Sequence, residues 1–467
     1  MKHNPYIVRR FSKASWGIIA LFVVFESTLT AQHSLTLAQD RFDKFNDVEN
    51  GWCASDATIS LPLPDGKTLW LFGDSFIGEK TGTFSINPSR SHMINNSVVL
   101  EDESSLTAHY QGTLANPSSF IPADGNAFFW PEHAVIENDT LKVFAVRVTY
   151  YNNNNPGFNF KVGTSFIAYY KYPRLEYITT RNIPSLTDTA MRFGACIVRS
   201  GEFTYIFGVK DTTSGNMTWP LLYLARVKQT VDEPWEFYAG SDTWSEDCRN
   251  ARPLGDRPMS ESFYVYEKDG KFYLIMHEIW LVGKLYILEA DKITGPWNRA
   301  SSGGKETLFA IIKPYPNLIT YNLFAHPQFN NDGKILISFN VNTSDFFSIY
   351  SDTRNYRARF YWLDVENAAS ATIPDTLSLH DVYPNSSKNV HLTEQVKISY
   401  SSFTHSLRIT NVPSLSVLSV FTSDGRKLMQ VQISGDSSVP VDMKSSRVLI
   451  VRLEGEWGSI TKKIIPY

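Results

Sequence analysis

The chain has 467 residues, with 44 Lys and Arg against 47 Asp and Glu, a net charge of -3 and a pI near 6.4. A composition that is 43% hydrophobic and 19% charged belongs to a folded protein long enough for two or three domains. The near-neutral balance leaves no basic footprint for nucleic acid. The 30 Phe, 23 Tyr and 11 Trp suit an all-β protein, where aromatics pack well on pleated surfaces.

Taken in chain order, the first element is a leader. Lys2, Arg9, Arg10 and Lys13 precede the apolar run Trp16–Phe25, and Thr28-Leu-Thr-Ala31 offers small residues for cleavage. The apolar core is too short to span a bilayer, so residues 1–31 read as a signal peptide and no membrane span is expected after its removal.

From Asp56 onward one unit recurs: an apolar strand, a tight polar turn and a second apolar strand. The units open at Asp56, Glu132, Gly194, Glu261 and His326, and these openings are almost evenly spaced. Their turns carry Asp-Gly or Asn-Asp, strong hairpin signals between apolar runs. Further strands fit the gaps at 96–100, 165–170, 221–226 and 285–289. A period this long exceeds a solenoid rung and suits a four-stranded sheet with its loops, so residues 32–366 read as a five-bladed β-propeller.

Residues 367–391, with NAASATIPDT and YPNSSKN, are small, polar and Pro-containing, as a linker would be. Residues 392–467 form a separate small β-domain, with alternating strands at 406–410, 415–421 and 447–452 and the turn Ser423-Asp-Gly-Arg426. This tail, with DGRK in a hairpin and the paired lysines Lys462 and Lys463 in the last strand, resembles the C-terminal sorting domain of the type IX secretion system. The resemblance implies a Bacteroidota-type export route, secretion machinery as a partner, and a secreted or surface-attached product. The segment Asp442–Ser446 departs from the glycine-rich stretch usual there.

Three cysteines, Cys53, Cys196 and Cys248, allow at most one disulfide, and the sequence does not say which pair would form it. No CxxC, HExxH or comparable ligand spacing points to zinc.

The chemistry gathers where the repeat units begin. If Pro64–Lys67 form the first turn, Leu63 faces Thr68, Asp56 faces Ser75 and Asp74 lies one step along, roughly 5–8 Å from Asp56 by cross-strand geometry. In a propeller the inner strands surround the axis, so Asp56, Glu132, Glu261, His326 and the nearby Arg192 would share one mouth. Each also has an ordinary structural reading: Asp74 as a turn residue, Glu132 and Glu261 as solvated acids, His326 as a satisfied buried histidine, Arg192 as a structural ion-pair partner. Glu278, expected opposite Glu261, is the weakest candidate. Paired carboxylates at a wet cleft serve glycoside hydrolysis, one protonating the leaving oxygen and the other activating water or attacking the anomeric carbon. Trp52 and Trp130, each just before an inner strand, would stack on sugar rings, with Arg192 and His326 as further substrate contacts.

The five-unit pattern with Asp56 opening the first blade resembles the propeller glycosidases of the arabinanase, xylosidase and levanase type. More closely, SDATISLPLPDGKTLWLFGDSF resembles propeller families with a GD[ST] signature, some of whose members are endo-D-arabinanases. The resemblance implies that Asp56 and Asp74 are the catalytic pair, with Asp56 as base or nucleophile. It also implies a calcium or water site at a central histidine, here His326; no other cofactor is required. The third unit opens Arg192-Phe-Gly194, without the carboxylate that arabinanase-type enzymes use as general acid. Asp74, Glu132 and Glu261 therefore remain open as the proton donor. The expected function is a secreted glycoside hydrolase acting on an arabinan-like or related glycan. The alternative is a non-catalytic carbohydrate- or protein-binding propeller on the cell surface.

Overall fold

The computed structural model describes residues 35–150, 160–214, 217–277, 284–297, 307–310, 318–343, 345–365, 396–401, 406–412, 415–422, 427–441, 449–455 and 458–464. The leader, the linker, the 423–426 turn, Glu278 and the 442–446 segment lie outside the described residues. Among those described, the protein is almost entirely β, and no helix is long and apolar enough to cross a membrane.

Among the described residues, five antiparallel sheets of four or five strands follow one another along residues 59–363. Each begins with an inner strand: Ile59–Pro62, Ala127–Glu137, Met191–Ser200, Phe263–Lys268 and Leu318–Asn331. Each inner strand pairs with the next strand in sequence through a short hairpin, and the sheet grows outward in chain order. The turn chemistry matches the sequence. Asn138 and Asp139 both take the left-handed conformation (φ 50° and 56°), as a two-residue type I′ turn requires. The inner strands touch in sequence and the fifth returns to the first, closing a ring. The ring is a propeller: repetition around an axis leaves only short sheet edges.

Its two ends are locked together. Leu35–Leu37 pairs with Ala358–Leu363, in the register Leu35 to Leu363, so the start of the described chain supplies the outer strand of the fifth sheet. Between neighbouring sheets the apolar faces interdigitate. One cluster joins Val209 and Leu224 of the third sheet, Val265 and Leu274 of the fourth, and Ile337 and Tyr361 of the fifth. A second joins Leu69 and Leu71 of the first sheet to Val143 and Ala145 of the second.

The tail strands form two sheets, one of Lys397–Ser401, Ser406–Thr410 and Ser437–Pro440, the other of four strands centred on Ser416–Thr422 and Leu449–Gly455. Ile398 and Leu407 from one sheet and Leu418, Val420 and Val451 from the other share a single apolar core, which makes a small β-sandwich.

The first hairpin corrects the expected register by one residue. Its loop is the three residues Pro64-Asp-Gly66, closed by the Leu63 N–H on the Lys67 carbonyl, with Gly66 left-handed at φ 84°. Pro62 therefore faces Thr68 and Ile59 faces Leu71. The three thiols are all buried and free, so no disulfide forms.

Candidate active site

The first hairpin does not end at the mouth of the ring. Beyond it the chain continues into a second small sheet of Trp52–Ser55, Ser75–Lys80 and Ile86–Ile94, with Ser55 facing Ser75. Asp56 and Asp74 lie at the corner between the two sheets. The Asp56 N–H donates to the Asp74 carbonyl (3.1 Å) and the Gly73 N–H to the Asp56 carbonyl (3.0 Å), so Asp56 faces the Gly73–Asp74 pair directly. The one-residue register shift is what brings them opposite each other. Ala57, next in chain, is held at φ 42°, a strained conformation for a residue with a side chain and of the kind that gathers at functional sites.

Both carboxyls are half-buried and held from different sheets. Asp56 Oδ2 accepts from the phenols of Tyr321 (3.0 Å) and Tyr356 (2.8 Å). Asp74 Oδ1 accepts from Trp130 Nε1 (3.1 Å) and Asn95 Nδ2 (3.3 Å). Burial raises the Asp56 pKa above the usual carboxylate range, the Asp74 charge raises it further, and the two phenols oppose the shift. Burial likewise raises Asp74, against the bonds from Trp130 and Asn95. Two such carboxyls hold a proton more readily than either would in water.

A cleft of about 220 Å³ opens over this corner, and all five inner strands or the residues just before them line it. The first contributes Asp56, the second Trp130 and Glu132, the third Arg192, the fourth Glu261 and the fifth Tyr321. β-Bulges turn these residues toward the axis. The second inner strand slips register between Pro131 and Ala134, which places Glu132 in a bulge. Similar shifts fall after Phe193 in the third strand and after Tyr321 in the fifth. Burial pushes Glu132 up to about 8, helped by the charge of Glu261 and opposed by Arg192. At neutral pH Glu132 is therefore largely protonated. Arg192, itself buried, forks onto both Asp211 oxygens (2.9 and 3.1 Å) and donates to Glu261 Oε1 at 2.7 Å.

Six of the eight expected site residues thus meet at or beside one cleft: Asp56, Asp74, Glu132, Glu261, Trp130 and Arg192. Two expectations are corrected. Trp52 is 2% exposed and packs its ring on Phe45 and Phe72, inside the core rather than on a sugar. His326 is fully buried, its Nδ1 bonded to Ser60 Oγ (2.7 Å) and its Nε2 to Ser338 Oγ (2.9 Å), with its ring against Trp70. The fifth inner strand begins at Leu318, well before His326, so the mouth position belongs to Tyr321 instead. His326 does not fit a calcium site either. Both ring nitrogens are engaged by hydroxyls, its polar surroundings are serines, an amide and backbone, and calcium requires a shell of oxygens rich in carboxylates. Tyr321, Tyr356, Asn95 and Asp211 went unnoticed in the sequence. Of these, only Asn95, in the Asn-Asn pair before a predicted strand, carried a local signal.

The family profile described as a domain of unknown function, DUF5005, matches residues 39–367. The chain belongs to that family. The DUF5005 match takes in all five inner strands and the residues that line the cleft, and begins just after the closing strand Leu35–Leu37. Among solved structures, it is similar to a presumed hydrolase from Bacteroides ovatus, with a TM-score of 0.57 and 16% identity over 74% of this chain and 95% of that one. That likeness concerns the fold. Weaker likenesses join it to the GH43_1 enzyme of Xanthomonas citri in complex with xylotriose (TM-score 0.39, 13% identity, 69% and 90% covered) and to an alpha-L-arabinanase mutant of Cellvibrio cellulosa (0.34, 12%, 66% and 91%). No curated protein matches the sequence.

Proposed function

We propose that this DUF5005 protein is a five-bladed propeller glycoside hydrolase acting on a polysaccharide, an arabinan-like or related glycan. The observation that carries the reading is the facing pair Asp56–Asp74 beside a cleft whose neighbouring wall holds Glu132, an acid whose proton affinity burial raises. Glu132 gives its proton to the glycosidic oxygen as the bond to the anomeric carbon breaks. Asp56, fixed by two phenols, acts in its ionised form as the base or nucleophile on the other side. Asp74 shares the charge of the pair, and its bond from Trp130 ties that indole to the cleft. The anomer of the first product reports whether Asp56 attacks carbon directly or through water.

The test is a screen of arabinans, arabinogalactan, xylan and fructans with wild type, Asp56→Asn and Glu132→Gln. Wild type should release reducing ends from one of them, and each variant should lose about 10²- to 10⁴-fold in rate, the usual worth of positioned acid or base. Binding without turnover by wild type on every glycan would instead establish a carbohydrate-binding propeller.

We also propose that residues 1–31 direct export and that the tail from 392 is a type IX sorting domain that delivers the hydrolase to the outer surface. The basic-then-apolar leader and the two-sheet tail support this. Deleting the tail should leave the protein in the periplasm of a host carrying that machinery; delivery to the surface without the tail would refute it.

A further inference from the structure

Charged groups meet on the wall of the cleft beyond the aspartate pair. Arg192 opens the third inner strand, and its side chain is 9% exposed. Its two terminal nitrogens fork onto both oxygens of Asp211, on the adjoining strand Phe203–Ser214, just beyond the cross-strand partner Val209. Nη2 also donates to Glu261 Oε1 at 2.7 Å. Glu132 lines the same cleft, yet among the described residues no side chain donates a hydrogen bond to its carboxyl. A half-buried acid beside an arginine is ordinarily the arginine's first partner, because the charge-assisted bond offsets the desolvation of both. Here the guanidinium is already committed to two other acids. A forked pair fixes the plane of the guanidinium as well as its position.

We propose that Asp211 is a positioning residue that clamps Arg192 by its two-pronged bond, committing the guanidinium to Asp211 and Glu261 and leaving Glu132 without an ion pair, as the proton donor of the cleft. The last clause rests on the hydrolase reading; the clamp itself does not. The groups that line the cleft with Glu132 are Asp56 from the first hairpin, Arg192 from the third sheet, Glu261 from the fourth and the Tyr321 phenol from the fifth; Asp74 and Asp211 are bonded to Trp130 and Arg192, and His133 is next in the chain. His133 is buried and held well below the usual histidine range, near 4, so it is neutral here and adds no charge. Of these groups only Arg192 carries a positive charge, and only its commitment elsewhere keeps Glu132 from being neutralised by a partner. The sequence separates the clamp from the acid it serves: Asp211 lies far beyond Glu132 along the chain and belongs to a different sheet.

The experiment is a carbon-13 NMR titration of the full chain labelled at the glutamate carboxyl, with the Glu132 resonance assigned by its loss in Glu132→Gln. In Asp211→Asn the freed guanidinium should turn to Glu132 and lower its proton affinity tenfold or more, moving the midpoint down by at least one pH unit. Asp211→Glu should restore the wild-type midpoint. Adding Arg192→Met to Asp211→Asn should abolish the drop, since no cation is then left to turn. Should Asp211→Asn fail to fold, Arg192→Lys tests the same point, because an ammonium cannot fork and is free to reach Glu132. An unchanged Glu132 midpoint in these single variants, or a drop that persists in the double variant, overturns the clamp. The readout needs no substrate: failure of every glycan in the screen sinks the hydrolase reading and leaves the clamp standing, while turnover with an unmoved midpoint does the reverse.

Discussion

Gly73 carries more of the site than its size suggests. A Cβ built on it would come within 2.5 Å of Asp56 Oδ1, closer than any real contact of that kind, so the carboxylate rests directly on the glycine backbone. Of the two Asp56 oxygens, Oδ2 is taken by the phenols, and Oδ1 is the one over Gly73. On the hydrolase reading, Gly73→Ala should therefore push the carboxylate off its seat and lower turnover about 100-fold, with circular dichroism unchanged, since misplacement by an ångström costs about that much. Glu132 yields a prediction about pH. Its native carboxyl holds a proton up to about 8, whereas the unfolded chain releases it near the ordinary glutamate value of 4.5. Between those values the native state binds more protons than the unfolded state, so stability falls as pH rises. Glu132→Gln removes that dependence: its Tm should match wild type near pH 4 and exceed it at pH 8.5, and equal Tm differences at both pH values would contradict the assignment. The two aspartates could be found in the sequence because they sit on the two arms of one hairpin. Tyr321 and Tyr356 could not, because they reach Asp56 from 265 and 300 residues away and nothing local marks a tyrosine as a clamp.

At the scale of single elements, turns and bulges decide what faces the axis. The repeat of apolar strand, polar turn and apolar strand identified the hairpins, and the fourth was placed in its true register, Phe263 opposite Met276. The first was misplaced by one residue because Pro-Asp-Gly-Lys fits a four-residue loop as well as the three-residue loop with left-handed Gly66 that forms. Bulges left no readable mark: Glu132 follows a proline and faces the cleft because the ladder slips there. Strand length misled in the fifth unit. The sequence pattern places the start of that unit at His326, but the strand starts at Leu318, which moves His326 from the mouth into the core. There its two ring nitrogens satisfy the hydroxyls of Ser60 and Ser338 and link the first sheet to the fifth. His326→Ala should leave both hydroxyls without that partner and a cavity beside Trp70, costing about 3 kcal/mol or more in urea denaturation. A loss below about 1 kcal/mol, no more than a single ordinary hydrogen bond contributes, would mean that the link carries no load.

For the molecule as a whole, the even spacing of the units and the Asp-Gly turns were enough to foresee a ring of sheets, because each unit repeats the same local choice. The closure was not foreseen. The strand that completes the fifth sheet, Leu35–Leu37, is too short to show a pattern, and its partner lies at the opposite end of the ring's sequence. Because Leu35 and Leu363 are cross-strand partners, the ends of the ring are about 5 Å apart. A permutant with those ends joined by a short linker and the chain reopened at the exposed Asp269-Gly270 turn should fold with one cooperative thermal transition. Loss of cooperativity would show that the order of sheets along the chain matters beyond their adjacency.

The closing strand also bears on when the cleft is complete. The cleft draws on all five inner strands, and the last sheet is finished only when the strand ending at Leu363 meets the one beginning at Leu35. A chain halted before residue 321 lacks both Tyr321 and Tyr356, and with them the two phenols that hold Asp56. The cleft is therefore shared by the whole ring, and no single sheet holds all of its wall.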